Sequence, residues 1–280
     1  MTFLPAYDRV GNLSADPSRT VLVVHGILGS GKNWRSFTRA IAEMNPAWGF
    51  LLVDLRGHGD SHGASGPHNL SSCAQDIQNL CTSLNLRPSV AWGHSFGGKV
   101  VLRYAENHGS DLRQVWVLDT PFDATPEGID IHGQSVGLLI KILGSVPMPC
   151  LEREDALNPI RKAGFPEMIC QWMTTNLMRC DGGFRWRFDL DVIGSLYVDY
   201  HVSDMWSAVL GDKPNTGFHL VYGGKSDRWN AENMGRARAL EARGTLDIHP
   251  MHEAGHWVHV DDPEGLRRIL NPWLKRLDAQ

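Results

Sequence analysis

The sequence lacks a CxxC pair, and its five cysteines (Cys73, Cys81, Cys150, Cys170 and Cys180) leave one over in any disulfide scheme. A reduced compartment is the simpler reading. It lacks a basic excess as well: 27 Lys and Arg stand against 31 Asp and Glu, a formal net charge of −4. With no surplus to neutralise phosphates, nucleic acid is not an expected partner. No apolar run approaches the ~20 residues of a membrane span. The densest, Val136 to Val146, is broken by Gly137, Lys141 and Gly144. The opening MTFLPAYDRVGNL has neither a charged head leading into an apolar run nor an Arg/Ser-rich amphipathic stretch. The expectation is a soluble intracellular protein, cytoplasmic or, where a transit peptide has been removed, organellar. Internal repeats, low-complexity tracts, a P-loop and a G-x-G-x-x-G loop are missing too, so no nucleotide is implied.

What remains is a globular balance of 42% apolar and 21% charged residues over 280 positions. That excludes disordered and collagen-like classes. The length suits one α/β core of ~200–250 residues carrying an insertion. Such a chain buries roughly 75% of the surface it exposes unfolded, so its core needs no staples.

Short, continuous, β-branched-rich runs recur at Val21–Val24, Phe50–Val53, Val90–Trp92, Val115–Leu118, Phe218–Tyr222 and Leu246–Ile248. Runs of this kind suit strands buried on both faces. Between them apolar residues fall at helical spacing: Trp34, Phe37, Ile41 and Met44; Leu70, Ala74, Ile77, Cys81 and Leu84; Leu266, Ile269, Leu270, Trp273 and Leu277. This alternation predicts a mostly parallel central sheet flanked by helices. It lapses at 122–205, a stretch with five prolines and a Gly182-Gly183 break. We read 122–205 as a helical cap inserted into a core formed by 1–121 and 206–280.

Gly93-His94-Ser95-Phe96-Gly97 stands after a strand run and before a helical run. That is G-x-S-x-G in the strand–turn–helix context that lifts a serine hydroxyl clear of a sheet. The following amide, of Phe96, then points where an oxyanion would form. A serine needs a base. Among 13 histidines only His256 lies beyond the last strand run with a glycine, Gly255, before it. His25-Gly26-Ile27-Leu28-Gly29 closes the first strong strand, and its turn can supply a second oxyanion amide from Ile27, or alternatively from Leu28. Expected pocket residues are His25, His94, Leu138, Ile142 and Trp257.

His252-Glu253-Ala254-Gly255-His256 matches the zinc-protease pattern H-E-x-x-H. The pattern works only on a helix, where histidines at i and i+4 share a face. Pro250 just before it and Gly255 within it make a helix improbable, so no metal is expected.

The order His25-Gly26, then Asp54-Leu55-Arg56-Gly57-His58-Gly59-Asp60-Ser61, then the Ser95 elbow with Gly98-Lys99, then Gly255-His256, resembles the α/β-hydrolases over most of the chain. Asn33-Trp34, Trp186-Arg187-Phe188 and Gly223-Gly224-Lys225-Ser226 resemble one branch, the abhydrolase-domain-11-like esterases and their YbfF relatives. The resemblance implies the α/β-hydrolase fold, a helical lid, no cofactor, and hydrolysis of small to medium acyl esters or thioesters through a Ser95–His256–acid triad. In most of the superfamily the acid follows the strand after the insertion, which points to Asp227. In this branch it follows the strand after the elbow helix, which points to Asp119, with Ser226 at the usual acid position. Asp119 is favoured and Asp227 stays the alternate. Ser95 argues against dehalogenase and epoxide-hydrolase chemistry, which needs a carboxylate there. A slow-turnover ligand receptor on the same fold is the alternative from another class. Acyl length, leaving group and oligomeric state are not legible.

Overall fold

The expected strand runs assemble into one seven-stranded sheet in the computed structural model, which describes residues 2–13, 16–126, 135–211 and 215–278. The strands are β1 (Tyr7–Gly11), β2 (Thr20–Val24), β3 (Gly49–Val53), β4 (Val90–His94), β5 (Gln114–Leu118), β8 (Gly217–Gly223) and β9 (Asp247–Met251). A separate hairpin pairs β6 (Leu177–Cys180) with β7 (Gly183–Trp186). Sheet order is β1-β3-β2-β4-β5-β8-β9, and every pair is parallel except β1 with β3. The edge strand β1 is absent from the sequence reading. Its Tyr-Asp-Arg-Val-Gly is half solvated, as an antiparallel edge strand can be, so it carries no apolar run to detect.

Both faces of the sheet are covered. Val21 and Val23 pack on one side and Leu22 and Val24 on the other, following the two-residue period of a strand. The first face receives α1 (Arg35–Met44) and α11 (Pro263–Asp278) through Phe37, Ile41, Leu266, Leu270 and Leu274. The second receives α2 (Leu70–Ser83) and α3 (Phe96–His108). The Asn69 side chain caps α2 by accepting from the Ser72 amide at 2.8 Å, which satisfies one donor left unpaired by the first turn.

Between β5 and β8 the chain leaves the sheet and forms α4 (Val136–Ser145), α5 (Arg153–Lys162), α6 (Glu167–Thr174), the β6–β7 hairpin, α7 (Leu190–Val202) and α8 (Trp206–Leu210). The insertion is mainly helical, as expected of a cap, and adds the β6–β7 hairpin, which the sequence reading does not include. Leu177 and Met178 begin β6. The turn demands glycine: Gly183 has φ 132°, and a Cβ there would sit 2.0 Å from the Cys150 carbonyl oxygen. Leu139, Leu143, Ile193 and Leu196 join the apolar cluster under α2 and α3, so the insertion shares its core with one face of the sheet. The chain closes with α9 (Ala231–Glu241) and the short α10 (Val258–Asp261) before α11. Among the described residues no helix is long and apolar enough to cross a membrane.

Candidate active site

Ser95 occupies the one-residue joint between β4 and α3, with φ 52° and ψ −121°. A non-glycine residue pays for that conformation, so its surroundings must over-determine it. They do: the Ser95 amide donates to the Leu118 carbonyl at 3.1 Å, and the Thr120 hydroxyl donates to the Ser95 carbonyl at 2.7 Å. Helix and sheet come so close here that a Cβ on Gly97 would lie 2.5 Å from the Val24 carbonyl oxygen. The Ser95 side chain is left half-buried beside the start of α3. The first amides of that 13-residue helix have no partners within it and present partial positive charge.

Asp119, one residue past β5, is fully buried, again with positive φ (54°). Its carboxylate accepts three hydrogen bonds. Oδ1 accepts from the Gly223 amide at 3.0 Å, while Oδ2 accepts from the Ser226 hydroxyl at 2.5 Å and from His256 Nδ1 at 2.8 Å. With Nδ1–H donating to Asp119, the network leaves Nε2 of His256 as the lone-pair nitrogen. Asp227 lies apart from this cluster: its side chain is 86% exposed and sits 3.4 Å from Arg228.

The two candidate oxyanion amides separate cleanly. The Leu28 amide donates to His58 Nε2 at 3.1 Å and is therefore spent. The Ile27 amide takes no partner among the described residues. Burial pushes the His58 imidazole down to about 3, so it stays a neutral acceptor, with Nδ1–H donating to the Arg56 carbonyl at 3.1 Å.

Two expected pocket residues are corrected. His25 is buried, with Nδ1 donating to the Gly26 carbonyl at 2.7 Å and Nε2 accepting from the Leu55 amide at 3.0 Å. His94 is buried too, its Nε2 donating to the His256 carbonyl at 2.8 Å, and burial beside His256 and His259 holds its pKa well below the usual histidine value. Both rings brace the loops around Ser95 and offer no wall to a ligand. Leu138 and Ile142 are half-buried on α4. Trp257 is half-buried, and its ring meets that of Trp172 on α6 edge to face at 5.8 Å. His252 and Glu253 form a turn and Ala254–Gly255 belong to no regular element, so His252 and His256 share no helix face.

Three residues escaped the sequence reading. Thr120 follows the acid and has no motif of its own. Lys99 belongs to the elbow motif, yet nothing in the sequence shows that it is buried with Nζ donating to the carbonyls of Asp123, Tyr200 and Ser203 at 2.7, 2.9 and 2.8 Å. Burial lowers its pKa to about 8. Asn176, between α6 and β6, is buried and donates to the Leu28 carbonyl at 2.9 Å.

Residues 19–136 match the family profile of the alpha/beta hydrolase fold. The chain is 29% identical over 269 residues to the mouse protein named sn-1-specific diacylglycerol lipase ABHD11, covering 91% of this chain and 80% of that one. It is 23% identical over 255 residues to esterase YbfF of Escherichia coli K12, covering 91% and 92%. A solved structure described as a marine microorganism esterase superposes with a TM-score of 0.74 at 21% identity, covering 99% of each chain.

Proposed function

We propose that this chain, which has the α/β-hydrolase fold and is similar in sequence to ABHD11 and YbfF, hydrolyses carboxylic esters through an acyl-enzyme on Ser95. The observation that carries the reading is the His256–Asp119 pair, Nδ1 to Oδ2 at 2.8 Å, at the same carboxyl edge of the sheet as the elbow serine, whose amide donates to the Leu118 carbonyl next to Asp119. In open parallel sheets that carboxyl edge is where ligands gather.

His256 Nε2 takes the Ser95 proton as Oγ attacks the ester carbonyl, and the amides of Ile27 and Phe96 hold the oxyanion. Collapse expels the alcohol, which leaves with the proton from His256. Water, deprotonated by the same nitrogen, then attacks the acyl-enzyme and releases the acid, and the serine regains its proton. Asp119 keeps the imidazole in the required tautomer, and its three donors keep that carboxylate oriented. The stretch 122–205 acts as a cap whose apolar side chains, Leu138, Ile142 and Trp172 with Trp257 opposite, form the acyl wall that polar triad loops cannot supply.

A panel of nitrophenyl esters, acyl thioesters and mono- and diacylglycerols tests the substrate class. Steady multiple turnover on an oxygen ester, and a single organophosphate adduct on Ser95, are expected. Ser95→Ala should lose on the order of 10⁶ in kcat. A wild type that binds acyl compounds without turning over would favour the receptor reading, and preference for thioesters would move the substrate class.

A further inference from the structure

Leu28 is the third non-glycine residue of the site held at positive φ, at 60°, beside Ser95 and Asp119, and it is fully buried. Its peptide groups are gripped from both sides. The amide donates to His58 on the loop after β3, and the carbonyl accepts from the Asn176 side-chain amide at 2.9 Å. Asn176 is itself fixed: its amide donates to the Met173 carbonyl at 3.0 Å, and its carbonyl accepts from the Arg187 amide at 2.7 Å. The same stretch is tied to the His58 loop, because the Asp189 amide donates to the Gly57 carbonyl at 2.8 Å and Arg187 pairs with Asp60 at 2.7 Å. Cap, His58 loop and Leu28 thus form a closed ring of hydrogen bonds.

The ring fixes the Leu28–Gly29 peptide through the Leu28 carbonyl, and the N–H of that peptide in turn holds the Gly26–Ile27 peptide, which carries the Ile27 amide. Ile27 and Leu28 form a turn, followed by the Gly29 amide donating to the Gly26 carbonyl at 3.0 Å. If Leu28 relaxed to negative φ, the turn would unwind and the Gly26 carbonyl would lose one of its two donors, loosening the peptide that carries the Ile27 amide. His58 alone cannot prevent this, because it holds only the amide of Leu28; the carbonyl needs a donor, and it lies buried where water cannot serve.

We propose that Asn176 is a positioning residue: the insertion, through this one side chain, locks Leu28 in its left-handed conformation and thereby aims the Ile27 amide at the oxyanion. The cap then completes the catalytic machinery as well as covering it, and an opened cap leaves the hole half-formed. This rests on the ester-hydrolase reading, and it goes beyond it by making oxyanion stabilisation depend on a residue that never touches substrate.

The test uses the full chain with Asn176→Asp, which keeps shape but removes the donor, and Asn176→Ala, which introduces no charge should the aspartate variant fail to fold. Hydrolysis of nitrophenyl acetate and butyrate is compared with inhibition by an arylboronic acid, which mimics the tetrahedral intermediate. Loss of an oxyanion donor costs about 10²–10³-fold, and misaiming one should cost less, about 10- to 100-fold in kcat. The boronate should weaken by the same factor, with KM within about twofold and equal losses on both esters. Organophosphate titration counts the folded sites, so misfolding cannot pass for the effect. A folded variant with boronate affinity unchanged, or with its loss confined to KM or to one chain length, overturns the inference alone. A wild type that neither turns over esters nor takes the organophosphate on Ser95 overturns the underlying reading, and this inference with it.

Discussion

Ser226 and Asp119 face each other across the ends of two adjacent parallel strands, hydroxyl to carboxylate at 2.5 Å. The pairing follows from register: Leu118 on β5 lies beside Val221 on β8, which sets the residue after β5 next to the turn after β8. Two strand ends that each hold an acid in some α/β-hydrolases here share one site, with the carboxylate on β5 and a hydroxyl on β8. The neighbouring Asp227 turns outward.

Asp119→Asn should therefore leave the protein folded and lower kcat by up to roughly 10⁴, since an amide cannot hold the imidazole in the same tautomer. Asp227→Asn should change kcat little. Steady-state kinetics on one nitrophenyl ester decides it. A crippled Asp227→Asn beside a near-normal Asp119→Asn would move the acid to the other strand.

Lys99 joins the nucleophile helix to both stems of the insertion, at Asp123 on one side and Tyr200 and Ser203 on the other. Lys99→Met leaves three buried carbonyls without that donor, at about 1–3 kcal/mol for each group left unsatisfied. A loss of several kcal/mol in urea unfolding is expected, with the insertion cut first in limited proteolysis. The folded pKa of about 8 lies below the ordinary 10.5, so the unfolded chain keeps its proton longer. Wild-type stability should thus gain on the variant as pH rises from about 8 towards 10.5. A gap that narrows over that window refutes the assignment.

His58 and His219 are both buried, and burial lowers each to about 3 from an ordinary 6.5. Both stay neutral in the folded state, so the unfolded chain takes up protons first. Their contribution is complete above about pH 6.5 and is lost as pH falls towards 3. Two protons give a slope of about 2.7 kcal/mol per pH unit in that window, at about 1.4 each. His219→Phe retains a ring stacked on Trp116, where the His219 centroid lies at 4.0 Å, and should flatten the slope by about one proton. Urea unfolding between pH 4.5 and 7.5 measures it, and an unchanged slope counts against a neutral buried His219.

Local chemistry by itself determined the strand–helix alternation and the strand–turn–helix elbow at Ser95. Each depends on sterics and polarity within a few residues: β-branched runs that suit buried strands, glycines where backbones nearly touch, a turn that exposes a hydroxyl. Only the tertiary structure decided what depends on distant segments meeting. Asp119 rather than Asp227 hydrogen-bonds His256 because β5 and β8 pair in one register, joining groups 137 positions apart in the chain. Leu28 is withdrawn as an oxyanion donor because His58, 30 positions away, accepts its amide. The parts played by Lys99 and Asn176 are not legible locally, since nothing near them in the chain shows that buried carbonyls of other loops await their protons. The hairpin at 177–186 was hidden because its two strands are only four residues each, too short for a period of two to stand out. Pairing energy and glycine geometry, realised only once Cys150 packs against Phe184, settle that form.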